Sequence, residues 1–174
     1  MVASAASRDA LSALHSLSSS MRKYTATTTS TARPQAVLEV LTDPDAVARW
    51  APVEFIVDDL THPRLSEGSR ARVSGRLAGQ NVGFDVEVHQ ADEDGLALSA
   101  LGPVALDVAY QLRASAAGSE VSASVAVLPR RGLRARLLAE ATAAVLAGGA
   151  LQAALGRIVA EAAGRAPVAE AAAV

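Results

Sequence analysis

Cysteine is absent from this 174-residue chain. Its absence excludes a disulfide framework, a thiolate nucleophile and a zinc site built on cysteine, and it fits a reducing cytosol. Aromatic residues are scarce as well, at 3%, although 51% of the chain is hydrophobic. We therefore expect one domain with an aliphatic interior, since a chain of this length can bury a core of its own.

The chain also lacks an excess of charge of either sign and any long apolar run. Its 16 basic and 18 acidic residues leave a net charge of −2. With so weak a field and so few rings for base stacking, nucleic-acid binding is not expected. No apolar run reaches the roughly 18 residues of a membrane-spanning helix, and the first 20 residues lack the apolar centre of a signal peptide. We expect a cytoplasmic protein with no stable membrane insertion.

The two ends of the chain carry little that could join a core. Residues 1–20 are rich in Ala and Ser, and residues 165–174 are rich in Ala. Each is predicted to be a flexible tail, which leaves residues 21–164 as the folded domain. Met21 lies directly before the first strand pattern and could be the translation start in place of Met1.

A strand and two short helices are predicted at the start of the domain. Residues 24–31 are rich in threonine, whose branching at Cβ favours extended structure. Pro34 fits the first turn of a helix, where its missing N–H costs nothing. Asp43 and Pro44 suit the cap and the first position of a second helix, which ends near Trp50.

Six runs of alternating apolar and polar residues follow. Turn signals that contain glycine separate most of them. Alternation with a period of two is typical of an antiparallel sheet with one solvent-exposed face and one buried face. The predicted strands are residues 53–60, 69–77, 82–89, 96–100, 104–112 and 121–128.

The second and third of these runs predict a hairpin with a defined register. A two-residue loop at residues 78–79 would place Arg72 opposite Asp85 and Arg70 opposite Glu87. Each such ion pair on an exposed face contributes roughly 0.2–1 kcal/mol. The arginines are therefore interpreted as partners of carboxylates and not as a phosphate-binding patch.

The last stretch, residues 133–163, predicts one long helix with an apolar stripe. A sheet that buries its dry face against one helix must wrap around it, and a strongly curved sheet can leave a cavity there. Gly148 and Gly149 together cost a helix about 2 kcal/mol relative to alanine. We expect Gly148 to border the cavity, and Gly149→Ala, on a more exposed face, to be stabilising. The stripe consists of Leu137, Ala141, Ala144, Gly148, Leu151, Leu155, Ile158 and Ala162.

This order of elements is similar to that of a known superfamily. Residues 22–163 resemble the polyketide cyclase/START-like (SRPBCC, Bet v 1-like) proteins. The resemblance implies an α+β helix-grip fold, in which a curved antiparallel sheet of about seven strands wraps around a long C-terminal helix, with two short helices after the first strand. The features that carry it are the strand at residues 24–31, the helix opened by Pro34, Asp43-Pro44 leading to Trp50-Ala51-Pro52, the strand opened by Gly68, and the terminal helix.

The resemblance also implies a hydrophobic cavity between sheet and helix, in which different members carry lipids or bind aromatic or polyketide substrates. By strand parity, Tyr110 is the only inward residue of the last four strands with a strong donor or a titratable group. Trp50 stands where superfamily members often border the cavity mouth. For the aromatic candidates, packing in the core is the open alternative. The candidate ligand-binding residues are Trp50, Phe55, Phe84, Val86, Leu98, Tyr110 and Gly148.

No catalytic residue, metal site or cofactor is predicted. His15, His62 and His89 fall in a tail, in a loop and at an outward strand position, so they do not converge as metal ligands must. The arginines at positions 130, 131, 134 and 136 form the one basic cluster. This cluster could meet an anionic headgroup or be a solvated helix end.

Three functions remain open. The first is a non-enzymatic carrier or sensor of a hydrophobic small molecule, such as a lipid, an isoprenoid or a polyketide-like compound. The resemblance also implies a polyketide cyclase, aromatase or dehydratase as the alternative, and a protein-interaction role, such as a toxin–antitoxin component, as a third. The near absence of inward polar residues favours the first, because cyclisation needs a positioned acid or base. A monomer and a homodimer both fit the sequence.

Overall fold

The structure, a computed structural model, describes residues 21–77, 79–128 and 130–165. The tail predicted at residues 1–20 lies outside the described residues, and so does the tail at residues 165–174 apart from Arg165. The domain boundaries therefore stay a prediction.

Seven strands and four helices follow one another in nearly the predicted order. One strand and two short helices precede six strands, and two longer helices end the described chain. The elements are β1 (Arg22–Ser30), α1 (Pro34–Leu41), α2 (Pro44–Trp50), β2 (Phe55–Leu60), β3 (Arg70–Leu77), β4 (Gln80–Asp92), β5 (Gly95–Leu101), β6 (Ala105–Ser115), β7 (Gly118–Leu128), α3 (Leu133–Ala147) and α4 (Ala150–Arg165).

The two short helices begin as the sequence predicts. Each has proline in its first turn. Asp43 caps α2, because its Oδ1 accepts hydrogen bonds from the backbone N–H groups of Asp45 at 3.0 Å and Ala46 at 3.4 Å. The cap fixes where α2 starts, and α2 ends at Trp50.

All seven strands form one antiparallel sheet in the order β1-β7-β6-β5-β4-β3-β2. Strands β2 to β7 each pair with their neighbours in sequence, and β1 pairs with β7. Helices α1 and α2 thus carry the chain from one edge of the sheet to the other. The register shifts after Val57 in β2 and after Val88 in β4. Irregularities of this kind bend a strand and increase its twist.

The β3–β4 hairpin has the predicted register. Arg72 lies opposite Asp85, and Arg70 lies opposite Glu87. The shortest distances are 2.9 Å between Arg72 Nη2 and Asp85 Oδ1, and 3.5 Å between Arg70 Nη2 and Glu87 Oε1. The four side chains are about half exposed or more, so the ion pairs help to set the register but add little to stability.

The core lies between the inner face of the sheet and the helices. Leu155, Ile158 and Ala162 of α4 are fully buried there, as are Val37 and Val40 of α1. Helix α4 packs mainly on β1 and α1. The predicted α+β helix-grip fold is confirmed, with seven antiparallel strands and two short helices after the first strand.

The C-terminal helix differs from the prediction because it is two helices. Helices α3 and α4 meet at Gly148 and Gly149 with a bend of 58°. Gly149 has a φ of +88°, a conformation that often ends helices and that residues with a side chain rarely adopt. The structure therefore reverses the expectation for Gly149→Ala, since an added Cβ is strained at this φ. Within the described residues no single helix has the length and apolar composition to span a membrane, and α3 and α4 meet those criteria only as a bent pair.

The break also changes the buried face of α3. Leu137 and Ala144, both predicted to face inward, are exposed. Consecutive helical residues are about 100° apart, so a shift of one position turns a different side toward the sheet. The predicted stripe holds on α4 and fails on α3, where the buried residues are Leu138, Ala139, Thr142 and Ala143.

Candidate ligand-binding cavity

A cavity of about 230 Å³ lies between the inner face of the sheet and helices α2, α3 and α4. Strands β2 to β6 supply most of its wall, and Leu151 and Ala154 of α4 border it from the opposite side. Two wall residues, Pro52 and Val145, are exposed to solvent. They mark where the cavity reaches the surface, between the segment after α2 and the end of α3.

The strands direct apolar side chains into the cavity because side chains alternate between the two faces of a sheet. Strands β5 and β6 show this most clearly, since their inward residues lie directly opposite one another. These pairs are Leu96 with Tyr110, Leu98 with Val108, and Ala100 with Leu106.

Two aromatic pairs form part of the wall. The rings of Trp50 and Tyr110 meet edge to face, with centroids 6.1 Å apart and planes at 78°. Phe55 and Phe84 meet in the same way, with centroids 6.2 Å apart and planes at 89°. Such contacts fix ring orientation, so the aromatic part of the wall is largely preformed.

Polar groups on the wall are few and largely unpartnered. Tyr110 is 6% exposed and Trp50 is 8% exposed. Burial alone raises the pKa of the Tyr110 hydroxyl, with no contribution from a hydrogen bond or charge of the described residues. Tyr110 is therefore a neutral hydroxyl at physiological pH. In the part of the chain that the structure describes, Trp50 Nε1 is the one buried side-chain polar atom without a hydrogen-bond partner.

Thr142 is a wall residue that sequence reasoning missed. It lies on α3, is 9% exposed, and donates a hydrogen bond from Oγ1 to the backbone oxygen of Leu138 at 2.8 Å. The hydroxyl proton of Thr142 is therefore already in a hydrogen bond, and only its oxygen lone pairs can accept one from another group. The predicted stripe placed Ala141 and Ala144 inward, and the phase shift of α3 turns Thr142 inward instead.

The structure brings six of the seven candidate residues together on the cavity wall. They come from α2, β2, β4, β5 and β6, which are separate in sequence and adjacent around the cavity. That they contact a ligand stays a prediction. The six are Trp50, Phe55, Phe84, Val86, Leu98 and Tyr110.

Gly148 is the candidate that lies apart. It is exposed at the end of α3 and is not among the residues that line the cavity. A Cβ built on it would meet only the backbone oxygens of Ala144 and Val145. The expectation that Gly148 sets the depth of the cavity therefore differs from the structure, and the cause is the helix break.

The described residues offer little for metal chemistry. They contain no group of three or more His, Asp or Glu side chains that could hold a metal ion. His62 and His89 are both exposed. Among the described residues that line the cavity, none carries a charged side chain. The cavity is thus suited to apolar contact and to a few hydrogen bonds.

The sequence has no match among protein-family models. No curated protein matches it either. Solved structures do match. The Zhui aromatase/cyclase from Streptomyces sp. R1128 is 19% identical, with a TM-score of 0.68 over 87% of this chain and 99% of that chain. TTHA0849 from Thermus thermophilus is 15% identical, with a TM-score of 0.65 over 84% of this chain and 100% of that chain.

A third solved structure also shares the fold of this chain. Ara h 8.0201 is 12% identical, with a TM-score of 0.53 over 81% of this chain and 99% of that chain. Identities this low show the fold alone. The chain has the helix-grip fold that the aromatase/cyclase and the Bet v 1-like protein share, as the resemblance implied.

Proposed function

We propose that the protein binds a hydrophobic small molecule in this cavity and acts as a non-enzymatic carrier or sensor. The observation that supports it is the wall itself. Of the 27 residues that line the cavity, only Trp50, Tyr110 and Thr142 have a polar side-chain atom. Small-molecule sites are concave and mostly apolar, with a few polar groups that orient the ligand. A cytoplasmic location is part of the same proposal.

The size of the cavity supports a compact ligand. A cavity of about 150 Å³ with an apolar lining holds benzene, and this one is about 230 Å³. Among the candidates from the sequence, an isoprenoid or polyketide-like fragment fits better than a lipid with two acyl chains. Removal of apolar area from water on both partners would drive binding, at roughly 25 cal/mol per Å² buried.

A cyclase, aromatase or dehydratase is the second candidate function. The likeness to an aromatase/cyclase is the observation that favours it. General acid–base catalysis needs a group whose pKa lies near the working pH. Tyr110 has a raised pKa, and the described wall carries no His, Asp, Glu or Lys. We therefore rank binding above catalysis.

Filling the cavity tests the proposal. Ala154 lines the cavity on α4 and is 2% exposed, whereas its neighbour Ala153 is exposed on the same helix. Binding of tetralin, a neutral ten-carbon hydrocarbon, can be followed by the emission of Trp50, the sole tryptophan. Ala154→Leu should weaken tetralin binding at least about tenfold, since the larger side chain occupies part of the cavity that the ligand needs. Ala153→Leu should bind as the parent does.

Equal tetralin binding by the parent and by Ala154→Leu would place the probe elsewhere and remove the cavity from the function. Far-ultraviolet circular dichroism and a thermal melt of both variants control for folding. Because both carry the same added side chain on the same helix, a general effect of leucine on α4 cancels between them.

A further inference from the structure

We infer that the ligand is a neutral compound of one or two rings that carries an oxygen acceptor, which the hydroxyl of Tyr110 binds. The inference rests on the proposed function and specifies the class of ligand. It follows from three independent features of the wall: its volume, its lack of charge and its unmatched hydrogen-bond donors.

The volume of the cavity favours a ligand with one or two rings. The cavity of about 230 Å³ is about half as large again as the roughly 150 Å³ cavity that holds one benzene. Two fused rings of about ten heavy atoms are therefore on the scale of this volume. The wall also carries four aromatic rings, in the pairs Trp50 with Tyr110 and Phe55 with Phe84, which suit contact with a flat ring.

The lack of charge excludes ionised ligands. Arg49 precedes the wall residue Trp50 in sequence, but its side chain is exposed and forms an ion pair with Glu161. No cationic or anionic side chain is among the described wall residues. A carboxylate or ammonium group inside the cavity would be desolvated without a partner, which costs far more than apolar contact returns.

The unmatched donors select an oxygen acceptor. Tyr110 lines the cavity and its hydroxyl has no hydrogen-bond partner among the described residues, while Trp50 Nε1–H, in the adjacent ring, is buried and unpaired. The third polar residue, Thr142, already donates to the oxygen of Leu138. Tyr110 and Trp50 therefore offer two free donors to a ligand, whereas Thr142 Oγ1 can only accept. A ligand carbonyl can accept the hydrogen bond of Tyr110, whereas a ligand with only donors leaves Trp50 Nε1–H unpaired.

The test compares 1-tetralone with its hydrocarbon counterpart tetralin, and 1-naphthoate, which is an anion at pH 7, with 1-naphthamide, its neutral counterpart of the same size. Dissociation constants are measured for the parent, for Tyr110→Phe and for Tyr24→Phe. Tyr24 is the other tyrosine of the chain and is not among the wall residues, so it is the matched control. The carbonyl stretching frequency of bound 1-tetralone is recorded in each protein.

Tyr110→Phe should weaken 1-tetralone binding about threefold to tenfold and leave tetralin binding nearly unchanged, since one hydrogen bond is removed at constant shape. The carbonyl band of bound 1-tetralone should lie at a lower frequency in the parent and in Tyr24→Phe than in Tyr110→Phe, where the hydrogen bond is absent. 1-Naphthamide should bind, and 1-naphthoate should not.

The outcomes separate the inference from the function on which it rests. If tetralin and 1-tetralone bind the parent but Tyr110→Phe changes neither affinity nor carbonyl band, the inference is overturned and the hydrophobic site stands. If 1-naphthoate binds as tightly as 1-naphthamide, the exclusion of charge is wrong. If no neutral probe binds, the proposed function fails together with the inference.

Discussion

Gly149 is the residue at which the C-terminal helical segment changes direction. Its φ of +88° lies in the left-handed region, whereas Gly148 before it has an ordinary φ of −73° and ends α3. The requirement for glycine therefore differs between the two neighbours. The backbone conformation at position 149 requires glycine, whereas the conformation at position 148 is open to other residues.

Alanine substitutions distinguish these two roles. Gly149→Ala should destabilise the protein by about 1 kcal/mol, because a Cβ is disfavoured at positive φ. Gly148→Ala should change stability by less than about 0.5 kcal/mol, since surface changes at ordinary φ have small effects. Urea denaturation at pH 7 measures both. A Gly149→Ala protein more stable than the parent would indicate that α3 and α4 form one continuous helix.

A larger side chain at position 148 tests whether this position borders the cavity. Gly148 is exposed and is absent from the cavity wall. Gly148→Leu should leave tetralin affinity within about twofold of the parent, because the added side chain meets solvent. Isothermal titration calorimetry checks this. A loss like that expected for Ala154→Leu would mean that the end of α3 reaches over the cavity.

Among the elements, α4 is tied to α2 by a group of surface ion pairs. Arg165 Nη2 is 2.8 Å from Asp43 Oδ2 and 2.6 Å from Glu161 Oε1, and Arg49 also pairs with Glu161. Burial by itself would raise the pKa of Asp43, but hydrogen bonds from Arg165 and from two backbone N–H groups outweigh it and lower the pKa. Hydrogen bonds from Arg49 and Arg165 lower the pKa of Glu161 against the effect of burial.

These lowered pKa values make the junction between α2 and α4 sensitive to acid. A carboxyl whose pKa is lower in the folded state contributes stability above its unfolded pKa, about 3.9 for Asp and 4.3 for Glu. That contribution is lost as pH falls through the folded pKa. The free energy of unfolding should therefore decline as pH falls below about 4, and Asp43→Asn, which keeps a capping side chain, should reduce the decline.

Urea denaturation between pH 6 and pH 3 measures this dependence. Asp107→Asn is the control, since Asp107 is an exposed carboxylate on β6. An equal pH dependence in the parent and in Asp43→Asn would show that the ion pairs do not couple α2 to α4.

The elements differ in how far the sequence determines them. The hairpin register follows from charge signs and the two-residue period, both of which are local. The cap at Asp43 is local too. The buried face of α3 is not, because it depends on the backbone conformation at Gly149. In one continuous helix, Leu137 would lie on the same face as Leu151 and Leu155. The break between α3 and α4 removes this relation.

At the scale of the whole molecule, the order of elements and their periodicity predicted a curved antiparallel sheet around a C-terminal helix, and the resemblance to a known superfamily implied the helix-grip fold. Strand parity also predicted most of the part of the wall that the strands supply, because every second side chain of a strand faces the helices. Thr142 and the exposure of Gly148 could not be predicted in this way, since both depend on how two helices meet at a bend. Nor does periodicity give the volume of the cavity, which depends on how far the sheet and helices stand apart.

The central claim is that a hydrophobic molecule occupies the space between the sheet and the helices. Methyl resonances in a ¹H–¹³C spectrum, recorded during titration with tetralin, test it most directly. Saturable shifts should appear at wall residues such as Val86, Leu98 and Leu106. The methyl groups of Leu133 and Leu137, which are 76% and 64% exposed, should not move. If the wall methyl groups stay fixed at saturating tetralin, or only the exposed leucines move, the cavity does not bind this class of ligand.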